Sequence, residues 1–151
     1  MAKLEPPYET YVDQIIGYKE KVLTALSQSQ EIMALLADNP DIDLGSEEAE
    51  KIAEKCLWDY QYVDETTQSA GAYIMVEAAK TGDNGGTLQE FALYVEIVAS
   101  TEFVPLNHKK FLGMNGNRLD NIAKFVDVVL SGSRDFGIGR LMPKDIRPVS
   151  V

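Results

Sequence analysis

The chain has few of the residues that build catalytic and metal sites. Its 151 residues include one cysteine, Cys56, and one histidine, His108. A single cysteine cannot form an internal disulfide, and one cysteine with one histidine does not supply the ligands of a zinc site. The sequence also has no Asp-x-Asp-x-Asp-Gly loop of the calcium-binding kind. We therefore expect no metal, no cofactor and no catalytic residue, and we expect that the protein is not an enzyme.

Long apolar runs and a secretion signal are also missing. No apolar stretch approaches the roughly 18–20 residues that a membrane-spanning helix needs. The first ten residues, MAKLEPPYET, lack the basic and then apolar pattern of a signal peptide. The sequence thus predicts a protein that does not contact membranes and is made in a cytoplasm.

Basic residues are scarce relative to acidic ones. The chain has 14 Lys and Arg against 24 Asp and Glu, which gives a formal net charge of -10. Binding to a phosphate backbone depends on clustered Lys and Arg, and here these residues are scattered. The composition therefore argues against a dedicated nucleic-acid-binding protein.

Apolar residues, in contrast, are plentiful enough to build a core, at 45% of the chain. A chain of this length is typical of one domain. We expect a single domain over residues 1–151, in which residues 1–10, with their Pro-Pro pair, form an irregular leader.

The first third of the chain has the apolar spacing of helices. One apolar stripe runs over residues 15–26, and a second runs over 32–36 behind Ser29, a favourable N-cap. The Asn39-Pro40 pair ends this second helix, because the residue before proline avoids helical angles. A third helix is expected over 46–56, although its apolar face is thin.

Two strands and one long helix are expected in the rest of the chain. Residues 72–78 and 88–100 alternate as strands do, and the glycine-rich stretch 81–86 between them predicts an antiparallel hairpin. After a long loop at 101–117, residues 118–131 form an amphipathic helix capped by Asn117, and Gly132 lies where a C-terminal cap glycine belongs. We then expect a strand over 138–143 and an extended end over 146–151. The predicted fold class is α+β, with a mostly antiparallel sheet packed against the N-terminal helices and one C-terminal helix.

The stretch SGSRDFGIGRL at residues 131–141 suggests chemistry only superficially. It lacks the third glycine of a dinucleotide-binding loop, and it follows a helix instead of opening one. Asp135-Phe136-Gly137 has no other kinase motif with it. We interpret the stretch as a helix-to-strand exit whose exposed residues contact a neighbouring subunit. The candidate interface residues are Arg134, Phe136, Gly137, Gly139 and Arg140.

Other candidate residues have simpler explanations. His108 beside Lys109 and Lys110 is more typical of a solvated loop than of a catalytic or anion site, and Cys56 is more typical of a small core residue than of a nucleophile. The acidic cluster within 47–54 is most simply a solvated helix face. The aromatic residues within 58–62 could stack on a ligand, but core or interface aromatics are commoner.

The C-terminal third carries a resemblance to a known group of proteins. The run from Arg118-Leu119-Asp120 to Gly139-Arg140-Leu141 resembles small neck and tail-completion proteins of tailed bacteriophages and Firmicute-type prophages. The early Glu31-Ile32-Met33-Ala34-Leu35-Leu36 helix before Asn39-Pro40 supports the match, and so does the strand pair that feeds a basic loop. The order of helix, hairpin, helix and strand is also similar to the tail-terminator fold.

The resemblance implies a structural role. Such proteins assemble as a ring, commonly a hexamer, that caps the tail tube and joins it to the head connector. It implies a virion protein of the neck or tail, made in the bacterial host cytoplasm, whose partners are copies of itself, the tail tube and head-connector proteins. DNA would pass through the ring without specific binding, since an acidic lumen repels it.

Two alternative functions compete with this one. An acidic interaction or regulatory module encoded by a prophage would carry its acidic residues as one continuous stripe, whereas a ring would confine them to one face. A small enzyme using His108 or Cys56 is the less favoured alternative, and substitution of His108 by alanine would separate it from the other two.

Overall fold

A computed structural model of the chain describes residues 8–60, 71–84, 88–133, 136 and 140–147. Three helices come first, followed by a small sheet and a last helix, so the expected α+β fold class is confirmed. The elements in chain order are α1 (Tyr11–Ser27), α2 (Gln30–Ala37), α3 (Glu47–Cys56), β1 (Leu57–Trp58), β2 (Ala72–Asn84), β3 (Leu88–Ala99), a 3-10 turn (Thr101–Phe103) and α4 (Arg118–Leu130).

Side-chain caps start the three N-terminal helices. The hydroxyls of Ser29 and Ser46 each accept a backbone N–H from the first turn of α2 and α3, which confirms both expected caps. At α1, Thr10 and Asp13 form a reciprocal capping box. Hydrogen bonds from the backbone and side chain of Thr10 lower the pKa of Asp13. Local polar signals therefore place the start of each helix.

The sheet has three strands in the order β1-β2-β3. β2 and β3 pair antiparallel from Ala72↔Ala99 to Asn84↔Leu88, so the expected hairpin is confirmed. β1 adds a two-residue parallel pairing, with Leu57 beside Ile74. The first two residues of the segment that follows α3 therefore belong to the sheet.

β2 is longer than the expected strand over 72–78, because it continues to Asn84. The turn-forming residues after Thr81 do not end the strand, since the ladder continues past a register shift between Lys80 and Gly82 and pairs Gly82 with Glu90 and Asn84 with Leu88. At Gly82 a Cβ would stand 3.0 Å from the carboxylate of Glu90. This carboxylate oxygen is the end of a flexible side chain, which could turn away from a larger residue at position 82.

The core lies where one face of the sheet meets the helices. Ile74 and Val76 of β2 are fully buried together with Val22 of α1, Leu35 of α2 and Ile122 of α4. α1 packs against β2, and α4 packs against β3 and α2. On β3 the side chains facing this core are only partly buried, because β3 lies at the edge of the sheet.

The expected apolar stripe of α4 is confirmed, and two polar residues of the helix, Arg118 and Asn121, are buried with it. Ile122, Val126 and Leu130 are buried. The side chain of Asn117 caps the helix by accepting the N–H of Asp120 at 2.8 Å. The helix starts with the buried polar residue Arg118, which the hydrophobic pattern did not indicate.

The expected C-terminal strand does not form in residues 140–147, which have no regular secondary structure. Only Leu141 of that segment makes ladder-like bonds, to Gly132 and Ser133 at the exit of α4. Residues 138 and 139, most of the expected end piece over 146–151, and residues 1–7 of the expected leader lie outside the described residues. Among the helices that are described, none is long and apolar enough to cross a bilayer.

Candidate subunit interface

The candidate interface begins where α4 ends. Gly132 has a φ of +73°, the left-handed conformation that favours glycine, so the expected C-terminal cap is confirmed. The N–H of Gly132 donates to the carbonyl of Leu141 at 2.7 Å, and the N–H of Leu141 donates to the carbonyl of Ser133 at 3.0 Å. These two bonds hold the segment after α4 in a closed loop whose ends lie side by side.

Arg140 lies exposed at the closure of this loop. Its Nε and Nη2 atoms lie 3.8 Å from the position that a Cβ on Gly132 would take. A Cβ there would be in ordinary van der Waals contact with the guanidinium, so glycine is favoured at position 132 by its positive φ and not by lack of space. An exposed guanidinium has the planar geometry that suits a carboxylate on another molecule.

Phe136 has a different role from the other candidates. It is 4% exposed and belongs to the core cluster, so its ring anchors the loop from inside and offers almost no surface to a neighbouring subunit. The pattern of charge and glycine around it did not distinguish an exposed aromatic from a buried one. Arg134, Gly137 and Gly139 lie outside the described residues, and their assignment to the interface stays a prediction.

Within its own chain, Arg140 could instead form an ion pair with Asp127 or Asp135. The described contacts do not support this pairing. Asp127 accepts a short hydrogen bond from the hydroxyl of Ser131. Of the ion pairs among the described residues, none joins Arg140 to Asp127. Asp135 lies outside the described residues.

An open groove of about 500 Å³ runs between α1 and the exit of α4. Its α1 side carries polar and charged residues, including Glu20, Lys21 and Gln28, and its other side carries Val129 and Phe136. A wide groove with mixed lining suits contact with another chain better than the enclosure of a small molecule. It is continuous with the loop that Arg140 closes, since Ser133 belongs to both.

A second exposed surface lies on the long loop between β3 and α4. Leu112 is 82% exposed and lines an open groove of about 400 Å³ with Met114, Pro40 and Lys110. The sequence reasoning missed this residue. The available signal was an apolar Phe-Leu pair directly after Lys109 and Lys110, of which Phe111 is buried and Leu112 is not.

Arg118 is the other residue that the sequence reasoning missed. Its guanidinium donates to the carbonyls of Phe103 at 2.7 Å and Leu35 at 2.6 Å, and to Asp38 Oδ1 at 2.9 Å. It also stacks on the ring of Phe103, with its Cζ 3.9 Å from the ring centroid. The side chain is 3% exposed, so it joins the end of α2, the long loop and the start of α4 from inside the protein.

The two residues considered for catalysis are occupied by structural roles. His108 Nε2 lies 2.9 Å from the carbonyl of Gly116, within the same loop. Cys56 is 2% exposed, and its burial raises the pKa of the thiol to about 11. A thiol with this pKa is protonated at neutral pH, and the thiolate is the nucleophilic form. No group of three or more His, Cys, Asp or Glu with the spacing of a metal site occurs within the described ranges.

The remaining sequence candidates are also placed. The acidic residues of α3 are exposed, as expected for a solvated helix face: Glu47, Glu48, Glu50 and Glu54. The rings of Trp58 and Tyr60 stack with their centroids 5.7 Å apart, and Trp58 also contacts Tyr73 at 5.3 Å. Trp58 and Tyr60 therefore pack on one another, and Trp58 also packs on the sheet, whereas Tyr62 lies outside the described residues.

The fold and these surfaces define a small α+β protein whose candidate contact sites are exposed loops and open grooves. Comparison with known families places it further: the YomW family model matches residues 29–151, which is most of the chain, so the chain belongs to the YomW family. The family name derives from a Bacillus phage or prophage and indicates a phage-associated protein. No curated protein and no solved structure matches the chain.

Proposed function

We propose that this chain is a structural virion protein of a phage or prophage that acts at the head–tail joint. In this role it caps or completes the tail tube as a ring. The observation that carries the proposal is the YomW match over residues 29–151, which includes α2, the sheet, the long loop and α4. The resemblance of residues 118–141 to neck and tail-completion proteins supplies the more specific role.

The charge of the chain suits assembly through the loop after α4. Identical subunits with a net charge of -10 repel one another unless arginine–carboxylate pairs cross their contact. Arg140 is exposed, and one acidic residue, Glu20, lines the open groove next to the loop. A contact between Arg140 of one copy and acidic residues of the next is the head-to-tail kind that closes into a ring.

The same charge suits a ring through which DNA passes. Scattered basic residues do not grip a phosphate backbone, and an acidic lumen prevents adhesion. The partners in this proposal are other copies of the chain, tail-tube protein and head-connector protein. The site of action is the neck or tail of the virion after synthesis in the host cytoplasm.

The test compares Arg140→Glu with Lys144→Glu in the full-length protein. Both residues are exposed and both changes reverse one charge, but Lys144 lies outside the loop closed by Gly132 and Leu141. We expect negative-stain images of the wild type and of Lys144→Glu to show rings, and Arg140→Glu to sediment as smaller species with an unchanged melting temperature. Assembly of Arg140→Glu at wild-type concentration and salt would show that the loop is not the interface. A wild type that forms no rings, alone or with tail-tube protein, would overturn the proposed role.

An acidic interaction module of a prophage is the second candidate, and α3 is the observation that favours it. Four exposed acidic residues lie on this helix of ten residues. Such a module should bind a basic probe such as polylysine, and conversion of Glu47, Glu50 and Glu54 to glutamine should weaken the binding several-fold. The ring proposal expects this variant to assemble normally. A catalytic activity that the wild type has and that His108→Ala abolishes would instead favour the enzyme alternative.

A further inference from the structure

β3 offers an open strand edge. It is the last strand in the order β1-β2-β3, and no further strand pairs with it among the residues that the structure describes. At the opposite edge of the sheet, β1 pairs with β2 at Ile74 and Met75, and α1 packs against β2. The residues of β3 from Phe91 to Ala99 are all partly or fully exposed. A second copy that adds to this sheet through a strand therefore meets β3.

The backbone groups of β3 that point outward can be identified from the ladder. Ser100 donates its N–H to the carbonyl of Gly71 at 3.0 Å, which continues the β2·β3 register by one residue. In an antiparallel pair, alternate residues bond to the same partner strand. Tyr94, like Ser100, therefore bonds toward β2, whereas Leu93 and Val95 present their N–H and C=O groups to the open edge.

We propose that β3 pairs antiparallel with β3 of a second copy, about a two-fold axis at Tyr94. In an antiparallel pair, two directly opposed side chains lie on the same face of the sheet. The two-fold axis must therefore pass through a residue position, because an axis between two residues would oppose side chains from different faces. Of the twelve residues of β3, axes at Leu93 and at Tyr94 each leave only one unpaired. The axis at Leu93 sets Glu90 of each copy against Glu96 of the other, and opposed like charges are destabilising.

The register centred on Tyr94 opposes no like charges. On the outer face, Glu96 lies opposite Ala92 of the second copy, and Glu90 lies opposite Val98. Tyr94 itself is 52% exposed and meets its own copy at the axis, where aromatic pairs stabilise a sheet. The strand is thus complementary to itself in one register and not in the neighbouring one.

Pairing in this register also extends the apolar face of the sheet. Phe91 lies opposite Ile97 of the second copy, and Leu93 lies opposite Val95. All four are only partly buried in one chain, so apolar surface at the edge of the core becomes covered by the second copy. The two cores then form one continuous layer across the axis.

The dimer should be weak and should strengthen with salt. One strand pair buries less than the roughly 800 Å² per partner of a standard interface. Each copy also carries a net charge of -10, and salt reduces this repulsion because the screening length falls from ~30 Å at 0.01 M to ~3 Å at 1 M. This contact is separate from the proposed ring contact, since it uses the same edge on both copies and joins free subunits or two rings face to face.

A cysteine at the axis tests the pairing directly. Tyr94 faces its copy as a non-hydrogen-bonded pair, whose Cα separation of about 4.5 Å lies within disulfide range. The native Cys56 is buried at 2% exposure and does not interfere. We expect Tyr94→Cys to oxidise to a covalent dimer that increases with salt, and Leu112→Cys, at 82% exposure, to remain monomeric under the same conditions.

A second experiment reads the register without Tyr94. Ala92→Cys and Glu96→Cys chains should cross-link when mixed, because these positions oppose each other, and neither should cross-link alone. Equal yields from Tyr94→Cys and Leu112→Cys, or cross-linking of Ala92→Cys alone as efficient as the mixture, would overturn the proposal. Circular dichroism checks that each variant is folded. If Tyr94→Cys does not fold, the mixture of Ala92→Cys and Glu96→Cys decides the result. Adding Arg140→Glu should leave the cross-link unchanged, so failure of the ring and failure of this pairing are distinguishable.

Discussion

Replacement of Arg118 should destabilise the protein more than replacement of any other charged residue of α4. The guanidinium makes three hydrogen bonds, to the carbonyls of Phe103 and Leu35 and to the carboxylate of Asp38. It is 3% exposed, so no water replaces these bonds when the side chain is removed. Leu35 and Asp38 belong to the end of α2 and Phe103 to the long loop, so the loss loosens the contacts of these two segments with α4.

The magnitude follows from these contacts. Leaving a buried acceptor unpaired costs about 1–3 kcal/mol, and Arg118→Ala leaves two main-chain carbonyls in that state. Loss of the stacking on Phe103, at 3.9 Å, adds about 1 kcal/mol. We expect Arg118→Ala to lower the free energy of unfolding by about 3–7 kcal/mol, the sum of these contributions.

Two further substitutions separate the contributions. Arg118→Met restores most of the packing volume but no donors, so it should cost nearly as much as Arg118→Ala. Asp38→Asn keeps an acceptor and suits the left-handed backbone at Asp38, whose φ is +55°. Because the Asp38 side chain is 40% exposed, loss of its charge should cost about 1 kcal/mol or less.

The assay is urea denaturation followed by far-UV circular dichroism and by the fluorescence of Trp58, the only tryptophan. The matched control is Lys124→Ala, an exposed cation on the same helix, which should change stability by about 0.5 kcal/mol or less. The reasoning is refuted if Arg118→Met unfolds at the same urea concentration as the wild type with the same slope. That result would mean that the hydrogen bonds of the guanidinium contribute nothing net.

Two more predictions concern the core. Val126 is 7% exposed, so Val126→Ala should lower the free energy of unfolding by about 1–3 kcal/mol through lost burial and a residual cavity. Val128 is 68% exposed, so Val128→Ala should lower it by about 0.5 kcal/mol or less. Equal losses in urea denaturation would contradict the placement of the helix face. The raised pKa of Cys56, about 11 against an ordinary 9.0, means that the folded protein holds this proton more tightly than the unfolded chain. Stability should therefore fall between about pH 9 and 11, by up to ~1.4 kcal/mol per pH unit from this group. Thermal melts of Cys56→Ala should lack this component, and an identical pH dependence in wild type and variant would refute it.

Much of the local structure was predictable because its causes are local. The caps Ser29, Ser46 and Asn117 bond to N–H groups a few residues away, and the left-handed Gly132 ends α4 within one turn. The hairpin of β2 and β3 was predictable from alternation and the turn-forming residues between the strands. Its length was not, because β2 continues past a register shift between Lys80 and Gly82 through residues that usually form a turn.

The candidate interface was predictable only in outline. The position of the helix exit and the exposure of Arg140 agree with the sequence analysis, but Phe136 lies in the core. Whether an aromatic residue between charged residues and glycines is exposed depends on the surface beneath it, and the sequence does not show that surface. Leu112 was missed for the opposite reason, since an apolar side chain in a loop is exposed only if nothing packs over it.

The sequence by itself determined the helices, their starts, the hairpin and the acidic charge of this protein. Those features follow from periodicity, capping chemistry and composition, which act over a few residues. Only the tertiary structure decided that β1 joins β2 in parallel, that Arg118 is buried and that residues 140–147 form no strand. Each of these depends on groups far apart in the chain, such as Arg118 and Leu35. Such groups become neighbours only after the core has brought their segments together.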